Sequence, residues 1–81
     1  METRLAIIGI IVEERSVAPK VNELLSEYAK FIQGRMGVPY NAKDVSVISI
    51  VIDAPMDDIS ALSGKLGALQ GVSTKTVYSK K

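Results

Sequence analysis

Few side chains in this 81-residue sequence are able to carry chemistry. Acidic residues gather at Glu13, Glu14, Asp53, Asp57 and Asp58, and Arg15, Arg35 and Lys65 are the basic groups placed to meet an anion. A hard cation is the metal such a set would suit, because soft and borderline metals want imidazole or thiolate. The sequence contains neither His nor Cys. Those two absences exclude Ser-His-Asp triads, thiol nucleophiles, iron–sulfur clusters, Cys/His zinc sites and disulfide staples. The acids fall at expected strand ends and helix starts, where capping and solvation account for them without a metal. No catalytic constellation emerges, so the chain reads as a non-enzyme with no metal and no other cofactor.

Glycines are the other pointed feature. Gly9 and the Gly34, Gly37 pair make no dinucleotide fingerprint, since no G-x-G-x-x-G lies between a strand and a helix, and they read as packing and turn residues. Ser60, Gly64, Gly67 and Gly71 project opposite the apolar stripe Ile59, Leu62, Leu66, Leu69 at about 100° per residue. Each glycine inside a helix costs roughly 1 kcal/mol relative to alanine. Either another backbone or a ligand approaches Gly64 and Gly67 closely, or the helix is weak, exposed and ends near Ser63.

The elements that would position these residues follow from periodicity. Leu5 to Val12 is an apolar, β-branched run bounded by charge and predicts a buried strand. Ser16 suits a cap and Pro19 a first helical turn, and Val21, Leu25, Tyr28 and Ile32 extend an amphipathic helix to about Gln33, with Gly34 as its stop. Arg35 to Tyr40 predicts a short strand that Pro39 confines to a sheet edge, Asn41 to Asp44 a turn, and Val45 to Ile52 a second strongly apolar strand. Asp53 and Pro55 open another helix with Asp57 and Asp58 in its first turn, Gly71 ends it, and Val72 to Tyr78 is a last, more polar strand. The order strand, helix, strand, strand, helix, strand is the α+β, ferredoxin-like βαββαβ sandwich, a four-stranded antiparallel sheet with both helices on one face.

A sheet covered on one side should alternate apolar with polar. Here Leu5, Ile7 and Ile11 oppose Ala6, Ile8, Ile10 and Val12, and Val45, Val47 and Val51 oppose Ile48, Ile50 and Ile52, so both faces are apolar. An exposed patch of that size exceeds the few hundred Å² that monomers usually show. A second copy is expected to cover it, with Ile8, Ile10, Ile48 and Ile50 taken as interface candidates; strand twist or the C-terminal tail is the alternative shield.

Composition bounds the rest. The length allows one domain, residues 1–81, marginal in stability without a partner subunit. Net charge is +1 and 47% of residues are hydrophobic, which excludes a disordered chain and gives no electrostatic footprint for nucleic acid or an anionic membrane. No apolar run reaches the roughly 20 residues of a membrane span, and Glu2 stands where a signal peptide would be basic, so a soluble cytoplasmic protein is expected. Among hosts of this topology, an RNA-recognition module would need stacking aromatics on the first and third strands, which have none. An acylphosphatase-like enzyme would need a phosphate cradle that does not accompany Arg15.

With Arg4 to Glu13, Gly34 to Pro39, Gly64 to Gly67 and Gly71-Val72 in view, the chain resembles over nearly its whole length the small family of iron-only hydrogenase system regulators. That family is similar to ACT-type ligand-binding modules and to the C-terminal sensor domain of the nickel-responsive repressor. The resemblance implies an ACT-like domain, dimers or tetramers built from shared sheets, and a small-molecule effector at subunit interfaces. It does not carry over nickel sensing, whose His and Cys ligands are absent, nor direct nucleic acid binding, since no ribbon-helix-helix arm precedes Arg4. The expectation is a non-enzymatic, homo-oligomeric regulatory or ligand-sensing module with Glu13, Arg15, Arg35, Gly37, Gly64 and Gly67 as ligand-binding candidates. A small enzyme or a structural assembly subunit is the alternative.

Overall fold

The structure, a computed structural model, describes residues 2–81. Its centre is β1, Arg4–Val12, a β-branched stretch suited to the pleated geometry of a strand. It pairs antiparallel with β3, Val45–Ala54, on one side and with β4, Val72–Tyr78, on the other. β2, Ile32–Tyr40, adds beyond β3, giving the order β2-β3-β1-β4. α1, Ala18–Glu27, and α2, Met56–Gly67, complete the ferredoxin-like arrangement.

Alternation along the strands decides which face is inside. Ala6, Ile8, Ile10 and Val12 of β1 and Ile48, Ile50, Ile52 and Ala54 of β3 are buried with Val21 and Leu25 of α1 and Ile59, Leu62 and Leu66 of α2. Both helices therefore cover one face, and each fully buried Ile or Leu there contributes roughly 1.5–3 kcal/mol. The interface assignment of Ile8, Ile10, Ile48 and Ile50 is corrected by this packing. Ile8, Ile10 and Ile50 are 0% exposed beneath the helices, so the opposite set meets solvent. That open face carries Leu5, Ile7 and Ile11 of β1, Met36 and Val38 of β2, Val47 and Val51 of β3, and Val77 of β4, all exposed.

Element ends depart from periodicity in three places. α1 stops at Glu27 and passes through a 3-10 turn, Ala29–Phe31, in which the Phe31 N–H donates to the Tyr28 carbonyl at 2.9 Å. Ile32 thus lies opposite Ile52 in the sheet, and Gly34 falls inside β2 just past a register shift instead of ending a helix. Four-residue spacing from Tyr28 to Ile32 served a turn into a strand as well as it would have served a helix. Ser16 makes no capping hydrogen bond; it lies in the 3-10 turn Arg15–Val17 that leads into α1.

Gly71 lies four residues beyond the end of α2, in the turn before β4, with φ +77. A Cβ there would lie 2.5 Å from Glu14 Cγ and 2.7 Å from Glu14 Cβ. Its carbonyl accepts the Glu13 N–H at 2.7 Å, which locks the β1 exit against the β4 entry. At the same end of the sheet, where Val12 pairs with Ser46 and Val72, β2 and β3 are joined through the turn Asn41–Lys43 and Asp44, which holds φ 56, a left-handed conformation that Asp tolerates better than most residues.

Candidate functional site

The helix-side positions of β2 meet α1 to form a groove. Arg35, Gly37 and Pro39 stand opposite Ile50, Ile48 and Ser46 of β3 and so share the helix face. Ala18, Val21 and Asn22, at helical spacing on α1, form the other wall. The floor is Val12 and Ile48, and the groove, open to solvent, has a volume of about 280 Å³. The Arg35 guanidinium donates to Asn22 Oδ1 at 3.1 Å, which ties the edge strand to the helix and leaves further N–H donors for an anion. A Cβ at Gly37 would meet nothing within 4 Å, so this wall stays open. One guanidinium and one amide over an aliphatic floor match the general form of a small-molecule site.

The six ligand-binding candidates do not converge. Arg35 and Gly37 line this groove, whereas Arg15 is engaged at the β2–β3 turn, donating to Asn41 Oδ1 at 3.1 Å and pairing with Asp44. Both members of that ion pair are exposed, so it adds little stability. Glu13 is fixed through its backbone to Gly71. Gly64 has open space around it, and a Cβ on Gly67 would touch only Thr74 Oγ1 of β4, at 3.6 Å. β4 and β2 are opposite edges of the sheet, which separates Gly67 from Arg35. Sequence reasoning missed Ala18, Asn22 and Ser46. The first two lay in the helical i, i+4 relation, a signal that identifies one face only once the facing strand is known.

Within the chain no other backbone comes within 4 Å of a Cβ at Gly64 or Gly67, and α2 does not end near Ser63 but runs to Gly67 as a regular helix. Replacing Gly64 by Ala should therefore stabilise the fold by about 0.5–1 kcal/mol, mainly by restricting the unfolded chain. Gly67→Ala should gain a similar amount, because its methyl would make only an ordinary van der Waals contact with Thr74 Oγ1 at 3.6 Å. Urea unfolding of the two variants checks this, and a loss of stability in Gly64→Ala would show a neighbour at that surface.

A second, larger groove of about 590 Å³ lies at the far end of the helices, among Thr3, Glu27, Tyr28, Lys30, Phe31, Pro55 and Asp58. Its charged members are Glu27, Lys30 and Asp58, and the Lys30 ammonium sits 5.1 Å from the centre of the Phe31 ring. At its rim Lys65 donates to the Tyr28 hydroxyl at 3.1 Å and sits 5.3 Å from that ring's centre. The hydrogen bond to Tyr28 raises the Lys65 pKa above its usual 10.5, so the ammonium stays charged and internally engaged. Among the described residues no three Asp or Glu side chains come together as a metal site, and no helix is long and apolar enough to cross a membrane.

A family model described as "Iron-only hydrogenase system regulator, putative", the TM1266-like family, matches residues 4–76. The solved structure of TM1266 from Thermotoga maritima superposes with a TM-score of 0.94 at 39% identity, covering 98% of this chain and 100% of that one. The ACT domain of GTP pyrophosphokinase from Chlorobium tepidum gives a TM-score of 0.79 at 19% identity, over 93% of this chain and 99% of that one. The apo form of CPII from Thiomonas intermedia K12, a nitrogen regulatory PII-like protein, gives 0.52 at 16%, over 96% and 95%. These last two show a shared fold. A search among curated proteins finds no match.

Proposed function

The chain belongs to the TM1266-like family of iron-only hydrogenase system regulators, and on that premise we propose that it is a non-enzymatic, cytoplasmic sensing module that works as a homo-oligomer and takes a small anionic effector in the α1–β2 groove. The observation that carries this reading is the Arg35 guanidinium, fixed by Asn22 above an aliphatic floor. A carboxylate or phosphate end would meet the guanidinium through paired hydrogen bonds. The apolar body of the same ligand would lie against Val12, Val21 and Ile48. Occupancy would tie the edge strand β2 more firmly to α1, and a change at a sheet edge is one that a partner protein can read.

The test is a thermal-shift screen of the purified protein against amino acids, other small carboxylates, nucleotides and metal ions. A ligand at 100 times its Kd stabilises the folded state by about 2.7 kcal/mol. For a domain of this size that is a rise in Tm of roughly 10 °C or more. Arg35→Ala should keep the ligand-free Tm within a few degrees and lose the shift. A panel with no stabilising compound, or an equal shift in Arg35→Ala, would defeat the reading.

A further inference from the structure

We propose that the open face of the sheet is covered by a second copy of this chain, the two sheets packed face to face about a two-fold axis that runs along the strands between β1 and β3. This names the contact surface of the assembly put forward above and rests on that reading. Size is the first argument. Val77 is 66% and Met36 64% exposed, and the remaining large apolar side chains of this face lie between 36% and 49%. Together they offer on the order of 700 Å² per copy, close to the roughly 800 Å² each partner contributes to a stable interface. A lone molecule seldom leaves that much apolar surface in one patch.

Self-complementarity of the register is the second argument. Across the face, Gly34, Val51, Ile7 and Val77 stand in one row, Met36, Ser49, Gly9 and Lys75 in the next, and Val38, Val47, Ile11 and Ser73 in the third. An axis between the two central strands sets each row against its own reverse. The projecting Val77 then enters the gap the partner leaves at Gly34, where a Cβ would have no neighbour within 4 Å. Val38 meets Ser73, and Met36 meets the aliphatic stem of Lys75 while its ammonium reaches solvent at the rim. The smallest pair, Ser49 and Gly9, falls at the middle, where two twisted sheets approach most closely. Asp53 follows Val51 on the same face of β3, at the end of the strand and outside these three rows.

Light scattering coupled to size exclusion should give about twice 8.7 kDa, and Ile7→Lys and Val51→Lys should halve that mass with an unchanged far-UV circular dichroism spectrum. Placement is tested by cross-linking, since the sequence has no cysteine of its own. A short thiol cross-linker should join Gly34→Cys chains to Val77→Cys chains in a mixture and barely join either variant to itself, because like positions lie at least three strand spacings, about 14 Å, apart. A monomer at every concentration overturns both this proposal and the assembly reading. An oligomer that survives both lysine variants, or that cross-links as well through Gly34→Cys alone, overturns this face or this axis and leaves the assembly reading standing.

Discussion

Ile50→Ala is expected to lower the free energy of unfolding by about 3–5 kcal/mol, the upper range for truncating a buried aliphatic side chain. Ile50 is 0% exposed, stands opposite Ile8 in the register and belongs to the cluster that both helices cover. Removing three carbons there loses transfer energy and leaves a cavity that the rigid sheet cannot close. A chain of this length has about 4–12 kcal/mol in total, so the variant should lose about a quarter of its stability or more. Chemical denaturation should show the midpoint falling steeply at constant slope. Asp53→Ala, three residues along the same strand and exposed, should stay within about 0.5 kcal/mol of the parent. Comparable losses in the two would mean that the inward and outward sets of β3 are wrongly assigned.

Gly71→Ala should be the costliest change at any glycine, at about 2–4 kcal/mol, because it combines a left-handed backbone with a collision. The φ of +77 alone penalises a side chain, and the new methyl would press on Glu14 Cβ and Cγ and come within 3.2 Å of the Glu14 backbone nitrogen. Relief by movement would pull on the Glu13 to Gly71 hydrogen bond that joins β1 to β4. Adding Glu14→Ala removes the nearest carbon of the three contacts. The double variant should therefore recover part of the loss, since residues in contact couple non-additively. Full retention of stability in Gly71→Ala would show that the turn relaxes freely.

Most of the fold was legible because β1 and β3 are long β-branched runs and because strand order places Pro39 and the polar β4 at the edges. The end of α1 was not, since Tyr28 and Ile32 keep helical spacing while the backbone turns between them. The inward face of the sheet was not either, because Ile7 and Ile8 are equally apolar and only the helices decide between them. For the candidate site, Arg35 and Gly37 were found as residue types, and the structure sets them in one groove. Asn22 and Ser46 became visible only with β2 laid beside α1. Gly64 and Gly67 were not decided by residue type: small residues permit close approach without requiring it, and within the chain only Thr74 Oγ1 comes near Gly67.

The order in which the strands are made carries its own consequence. β1 is the first strand and a central one, yet both of its neighbours come later, β3 from Val45 and β4 from Val72. Synthesis at roughly 5–20 residues per second leaves Leu5–Val12 waiting about 3–12 s for β4 to be made. Through that interval a stretch that is apolar on both faces has no completed sheet to enter, and its backbone hydrogen bonds go to water or to another nascent chain. Overproduction should therefore damage this protein chiefly while it is being translated, with chaperone capacity at the ribosome setting the soluble yield more than the stability of the finished fold does.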